Sequence, residues 1–499
     1  MQGRQEAADK EDAAIGERSK DGARTLRLPT WVVAALYPVA CLAPLLFAAK
    51  RDVVPTSGWA IAAAGIGLVG LASIAAQFVT SGRFELVSGR LGIDRVMAFH
   101  KMAALWVTLT LLLHPVIYVV PTFLADPALG AERLVAYHTL PHYRSGVVAL
   151  WALVFMVVGS ALREHLPLRY EAWRAAHLVL AVVTIGAGLH HAVSVGRFSA
   201  AGGLNGYWWA VGAAAVGVVA ILYGLRWAGL NLRPWRLVSV TKLADQMWEL
   251  NVQPAKGTPP LFYHAGQFVW MTEGVRRFPL FDHPFSIADS PLRPGLSFVV
   301  KEAGDFTNQI GTLAIGTPIG IDGPYGSFTL EDHDGDAILL IAGGVGIAPI
   351  LGILRDLVAR DDRRPVRLAY AAGHPENFAG KNEIEVARST LDLETLFLSE
   401  EDTPGWDGET GRLDADRLSE MLRGLDPART VALICGPGPM VTAVADNLID
   451  LGLPSDRVMY ERFDYSEGTS RLDRRLKGRL TGLGLALLAG IAAFVALMT

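Results

Sequence analysis

The stretch Phe99-His-Lys-Met-Ala-Ala-Leu-Trp-Val-Thr-Leu-Thr-Leu-Leu-Leu-His114 is apolar between two histidines, His100 and His114. A second stretch, His177-Leu-Val-Leu-Ala-Val-Val-Thr-Ile-Gly-Ala-Gly-Leu-His190-His191, repeats the arrangement. An α-helix turns about 100° and rises about 1.5 Å per residue, so fourteen residues bring His114 back to within about 40° of His100 and roughly 21 Å along the axis. His177 and His191 share that spacing. His190, at thirteen, lies further round, and Gly186 and Gly188 permit a local bulge that would return it. Two such helices side by side offer one histidine each at two levels. Imidazole ligates haem iron, so each level can clamp one porphyrin from both faces and leave no open axial position. Ionisable groups in apolar helices are costly, and two matched pairs argue against satisfied core histidines.

Four further apolar spans surround these two. The six run near 31–49, 58–78, 93–120, 145–161, 172–196 and 206–228, each long enough to cross a bilayer. With 51% hydrophobic residues in 499, the chain is not an ordinary soluble protein, and its net charge of −4 gives no case for nucleic-acid binding. Residues 1–30 are polar and mixed in charge, without the form of a cleavable signal, and read as a cytoplasmic tail. Cys41 and Cys435 are the only cysteines and CxxCH is absent, so haem would be held non-covalently and no disulfide framework is expected.

Basic residues set the orientation. Arg83, Arg90 and Arg95 follow the second span, Arg163, Arg169 and Arg174 the fourth, and Arg226, Arg233, Arg236 and Lys242 the sixth. All three groups belong on the cytoplasmic side, with the N-terminus inside; Lys50 and Arg51 oppose this weakly. The third and fifth spans then run in the same direction. His100 and His177 form an inner level, and His114 with His190 or His191 an outer one. Arg174, three residues before His177 on the same helix face, is a candidate partner for an inner haem propionate. The external link 121–144 is polar and reads as a solvated loop. Its His138, His142 and Arg144 are secondary candidates for contact with an acceptor or an outer propionate.

Composition changes after residue 229. Leu237-Val-Ser-Val, Gln267-Phe-Val-Trp-Met and Leu296-Ser-Phe-Val-Val read as β-strands separated by Pro and Gly, and predict a small antiparallel barrel. From 336 the pattern is strand, glycine turn, helix: Ala337-Ile-Leu-Leu-Ile, then Gly343-Gly-Val-Gly-Ile-Ala-Pro349, then an apolar helix. Backbone N–H groups at such a helix start receive a phosphate. Val431-Ala-Leu-Ile leads into a second turn, Cys435-Gly-Pro-Gly-Pro-Met440, and the two turns define one crevice.

Taken together, the chain resembles the ferric reductase and NADPH oxidase superfamily, with a soluble half similar to the ferredoxin–NADP reductase fold. The resemblance implies two non-covalent b-type haems on His100, His114, His177 and His190 or His191. It implies FAD at His283-Pro284-Phe285-Ser286 and at Gly304-Asp-Phe-Thr307, with Asp322-Gly-Pro-Tyr-Gly-Ser327 closing the barrel near the cofactors. NADPH or NADH is implied at Gly343, Gly344, Gly346 and Pro349, at Cys435, Gly436, Pro437 and Met440, and at Phe463 of the terminal Glu461-Arg-Phe463. The expected architecture is a multidomain membrane protein. It comprises a tail (1–30), a six-helix transmembrane di-haem bundle (31–228), an FAD-binding β-barrel (229–331), an α/β NAD(P)-binding domain (332–465), and a basic linker with an additional C-terminal membrane helix (466–499). That last helix, from the apolar run 482–498, would tie the reductase domain to the bilayer.

The implied activity is NAD(P)H-dependent electron transfer across the cell membrane, from cytoplasmic FAD and NAD(P) domains to an extracytoplasmic acceptor. Oxygen, giving superoxide, is the first reading; a ferric or cupric chelate, or a membrane or periplasmic partner protein, are the others. Where the superfamily often has an arginine favouring a 2′-phosphate, this chain has Ala371-Ala-Gly-His374. Lys381 and Arg388 lie further along. Weak discrimination follows: both nucleotides are expected to work, with a preference for NADPH below about tenfold, or under about 1.4 kcal/mol. Comparing kcat/KM for the two donors checks this, and a several-hundredfold bias in either direction would refute it.

Overall fold

The computed structural model describes residues 29–49, 57–81, 92–196, 198, 203–274, 281–331, 333–463 and 470–499. The expected tail up to residue 28 and the basic residues Lys50, Arg51, Arg83 and Arg90 lie outside them. The chain divides into two compact units. One contains the described residues up to 225, other than 92–94, together with 476–499; the other contains 226–475 with 92–94.

The first unit is a helical bundle. Its helices are α1 (Thr30–Ala49), α2 (Gly58–Val79), α3 (Ile93–Ala125), α4 (Pro127–Thr139), α5 (Arg144–Ala161), α6 (Tyr170–Ser194) and α7 (Gly203–Val219). A π-helical segment (Ala220–Leu225) runs on from α7 into α8 (Arg226–Leu232). The last helix of the chain, α13 (Arg471–Met498), ends in the same unit. Seven helices among the described residues are long and apolar enough to cross a membrane: α1, α2, α3, α5, α6, the α7 run and α13. This is a multi-pass membrane protein.

Burial singles out α2, whose apolar window is 61% buried where the other six bury 11–22%. Leu68, Val69, Leu71 and Ile74 of α2 pack with Cys41 and Leu45 of α1, Ile185 of α6, and Leu204 and Trp208 of α7. Glycines let α13 join them. A Cβ at Gly65 would lie 3.2 Å from Ile491, and one at Gly490 2.6 Å from Leu42. Close approach at small residues is how helices associate in lipid, where apolar burial supplies little. The link 121–144, expected as a loop, contains α4. Asp126 caps it, accepting from Ala128 N–H at 3.0 Å and Leu129 N–H at 3.1 Å, and Pro127 takes the first helical position.

The second unit holds two sheets. Strands β1 (Trp235–Ala244), β2 (Met247–Pro254), β3 (Phe268–Glu273), β4 (His283–Ser286), β5 (Leu296–Lys301) and β6 (Pro318–Tyr325) pair antiparallel in the order β4-β3-β6-β1-β2-β5. Strands β7 (Ala337–Gly343), β8 (Val366–Ala372), β9 (Leu393–Ser399), β10 (Glu409–Thr410), β11 (Thr430–Gly436) and β12 (Val458–Arg462) form a parallel sheet in the order β10-β9-β8-β7-β11-β12. Helices α9 (Ile347–Ala359), α10 (Lys381–Thr390), α11 (Ala415–Met421) and α12 (Gly438–Asp450) accompany it. The chain leaves β7 for β8 on one side and later adds β11 on the other, so the order reverses between β7 and β11. Open α/β sheets bind ligands at such a reversal, beyond the carboxyl ends of the strands.

A buried arginine joins the two sheets. Arg355 of α9 donates to Ala288 O at 2.6 Å, to Glu249 of β2 at 2.8 Å and to Glu383 of α10 at 3.0 Å.

Candidate functional site

The four helical histidines gather in two places. On α3 and α6, the His100 and His177 rings lie 6.4 Å apart, centre to centre, inclined at 49°. Two imidazole nitrogens each about 2 Å from one metal ion put the ring centres roughly 6 Å apart, so the pair has the separation of a shared iron. Ser160 of α5 orients His177. Its hydroxyl donates to Met156 O at 2.7 Å and lies 3.1 Å from His177 Nδ1. With its one proton engaged, Ser160 accepts from Nδ1–H, and Nε2 keeps the lone pair a metal needs. Trp173 lies 5.6 Å from His177, and the Arg174 guanidinium sits 5.7 Å from the Tyr170 ring.

At the other level, His114 and His191 line one cavity of about 660 Å³. Nδ1 of His114 lies 2.7 Å from Ala63 O. A carbonyl only accepts, so Nδ1 carries the proton and Nε2 is again the free base. Two glycines make space for the rings. A Cβ at Gly67 would lie 2.7 Å from His114 Cε1, and one at Gly146 2.7 Å from His191 Nδ1. Nδ1 of His100 and of His191 are buried without a hydrogen-bond partner among the described residues. His190 is exposed, with Nε2 3.5 Å from Ser194 Oγ. The bulge that would bring it round does not occur, because α6 is α-helical throughout Tyr170–Ser194. Paired imidazoles, one of fixed tautomer at each level, ring nitrogens of the other without a partner among the described residues, and glycine-made space suit two groups ligated from both faces.

In the antiparallel sheet, His283-Pro-Phe-Ser286 is β4 itself, paired with β3. His283 stacks on Phe306 at 4.7 Å and 2°, and Phe285 lies 6.2 Å from the same ring. Phe306 belongs to the second flavin motif, where Thr307 Oγ1 accepts from Ala303 N–H at 2.8 Å and donates back to Gly304 O at 3.3 Å. The two motifs therefore meet through aromatic rings. At the end of β6, Tyr325 donates to Asp322 at 2.9 Å, and Arg226 pairs with that carboxylate at 3.3 Å.

The glycine turns meet at the reversal between β7 and β11. A Cβ on Gly346 would lie 2.1 Å from Cys435 O, one on Gly343 2.7 Å from Met440 Sδ, and one on Gly436 3.0 Å from Gly343 Cα. Backbone-to-backbone approach this close admits only glycine. Gly344 has φ +53°, Pro349 is buried in the first turn of α9, and Pro437 precedes α12. Phe463, just past β12, is 41% exposed. Beyond β8, His374 faces Glu401 at 3.5 Å, Arg388 pairs with Glu385 at 3.1 Å, and Lys381 lies 5.4 Å over the Phe378 ring.

Nothing in the sequence pattern marks Ser160, Ala63, Gly67 or Gly146 as neighbours of the histidines. Asp126-Pro127, a cap followed by proline at the first helical position, was the signal that could have revealed α4.

Three family models match the chain in succession. A ferric reductase like transmembrane component covers residues 66–188, an FAD-binding domain 233–329 and an oxidoreductase NAD-binding domain 340–446. The reductase component of propane 2-monooxygenase from Mycolicibacterium smegmatis is 32% identical over 36% of this chain and 53% of its own length. The flavohemoprotein of Bordetella pertussis is 27% identical over 64% of this chain and 75% of its own. The chain spans about half the length of the first curated relatives it matches. A solved structure, the cytochrome P450 reductase GcoB of Amycolatopsis, aligns over 47% of this chain and 70% of its own at 22% identity and a TM-score of 0.41.

Proposed function

We propose that this protein, in which a ferric-reductase-like transmembrane domain is fused to FAD- and NAD(P)-binding reductase domains, carries electrons from cytoplasmic NAD(P)H across the membrane to an extracytoplasmic acceptor. The observation that carries the proposal is the presence in one chain of two histidine levels and a two-turn nucleotide crevice. When bound, FAD would convert hydride into single electrons of the kind two b-type haems accept.

The chain's own residues would hold these groups. His100 and His177 would ligate the inner haem, and His114 with His191, supported over His190 by its place on the cavity wall, the outer one. Arg174 would face an inner propionate. The rings of Phe285 and Phe306 would bound the flavin side. Gly343, Gly344 and Gly346 would admit the nucleotide phosphates to the start of α9, opposite Cys435 and Met440. Domain limits at 31–228, 229–331, 332–465 and 466–499 belong to this reading. So does closure of the antiparallel sheet into a barrel, which a bridge between Ile287 and Phe298 supports. His374, Lys381 and Arg388 each already have an acidic or aromatic neighbour, in keeping with weak NADPH preference.

Oxygen is the proposed acceptor, with superoxide as product. The match to a ferric-reductase model favours a second reading, a ferric or cupric chelate. Purified protein is expected to contain two haems and one FAD per chain by pyridine haemochrome and released-flavin assay. NAD(P)H oxidation under air, with a superoxide-dismutase-sensitive product, and its loss under nitrogen would support oxygen. Oxidation under nitrogen sustained only by ferric chelate would move the reading to the second acceptor. One haem per chain, or covalent haem, would overturn the scheme.

A further inference from the structure

The cavity shared by His114 and His191 has a polar wall made by Tyr118, Arg133, Tyr137, His138, His142 and Tyr143. Among the described residues its lining includes no aspartate or glutamate, and Arg133 is the one permanently charged side chain. Arg144, expected beside the two histidines, is not part of the wall.

The position of Arg133 is built into α4. Gly130 lets this helix fold back on the end of α3, since a Cβ there would lie 2.5 Å from Phe123 Cα. Arg133 comes three residues later, on the same face. Its Nη1 donates to Thr122 Oγ1 at 2.8 Å and its Nε to the Tyr137 hydroxyl at 3.2 Å. Both partners are neutral, and Arg133 makes no ion pair among the described residues. Rings continue the contact inward: Tyr137 lies 6.4 Å from Tyr118, which meets His114 edge-on at 5.4 Å. A guanidinium is a planar fork that takes a carboxylate through parallel hydrogen bonds. Here it is steadied by hydroxyls beside a cavity whose described lining offers it no carboxylate.

We propose that Arg133 is the carboxylate-binding group of this cavity and takes the propionates of the porphyrin that His114 and His191 would ligate. The proposal rests on the di-haem reading above. A soluble anionic chelate would offer the same carboxylates, and the test separates the two sources.

Full-length Arg133→Gln, Arg133→Lys, Thr122→Val and, as a control on the exposed side of α4, Glu132→Gln are purified in detergent. Haem per chain is measured by pyridine haemochrome, and midpoints by potentiometric titration of haem absorbance. Arg133→Gln is expected to fall from two haems towards one. Any outer haem it keeps should have a lower midpoint, because a lost cation favours the ferric state. Arg133→Lys should restore occupancy, Thr122→Val should lie between, and Glu132→Gln should match wild type. Wild-type occupancy and midpoints in Arg133→Gln would overturn the proposal. So would unchanged haem with a tenfold higher KM for ferric citrate, which would assign the carboxylate to the acceptor. Wild-type protein without an outer haem would instead remove the di-haem reading on which the proposal stands.

Discussion

His114→Ala is expected to remove the outer haem, halving the haem content, and to cut transmembrane electron delivery by more than about a hundredfold, beyond the range seen for loss of a metal ligand's supporting partner. Flavin reduction by NAD(P)H should survive. The size of the effect follows from how fully the ring is prepared. Ala63 O at 2.7 Å fixes the tautomer, and Gly67 leaves space that an added Cβ would fill at 2.7 Å. The neighbouring Tyr118 is a poor substitute in place and in chemistry. The flavin and nucleotide motifs belong to the other compact unit, so their reaction does not depend on this side chain. Stopped-flow spectra should show flavin bleaching at the wild-type rate, with the outer haem signal missing. Loss of bleaching in a folded protein, or full delivery without the ligand, would contradict the proposed order.

The histidine levels were legible because a helix converts sequence distance into angle and height, and fourteen residues nearly close a whole number of turns. The same geometry separates His191 from His190. One residue is about 100° of rotation, and without a bulge in α6 only the fourteenth position faces the cavity. What surrounds the rings was not legible. Gly67 and Gly146 sit in apolar helices, where glycine reads as ordinary close packing, and only the fold sets an imidazole against each. Ser160 and the Ala63 carbonyl act across helices, through contacts no periodicity encodes. The central place of α2 was hidden for a similar reason, since every span is apolar on all sides and composition cannot say which one the others enclose. In the second unit, the period-two strands and the strand–turn–helix pattern revealed both sheets. Strand order, and therefore the meeting of Gly346 with Cys435, came from long-range pairing.

Arg355→Met is expected to lower the melting temperature of the reductase unit by about 10 °C, with early release of flavin fluorescence. Arg355 was unremarkable in sequence, an arginine within a helix, yet it is 8% exposed and its guanidinium reaches from α9 to Glu249 of β2 and to Glu383 of α10. Burial works against its charge, but Glu249, hydrogen-bonded at 2.8 Å, together with Asp289 and Glu383 outweighs that and holds the arginine pKa above its usual value. Methionine would fill much of the volume while leaving Glu249, with its side chain 12% exposed, without a counter-charge. Breaking a buried pair from one side costs about 3–5 kcal/mol. In a unit of this size each kcal/mol moves the melting temperature by about 2–4 °C. Removing both charges should hurt less than removing one, because the remaining penalty is an uncompensated carboxylate. The double variant Arg355→Met with Glu249→Gln is therefore expected to recover at least half of the lost melting temperature, a coupling that a double-mutant cycle reads directly. Additive losses would mean that Arg355 acts through packing or through Ala288 O and Glu383, and an unchanged melting temperature in the single variant would refute its role in joining the two sheets.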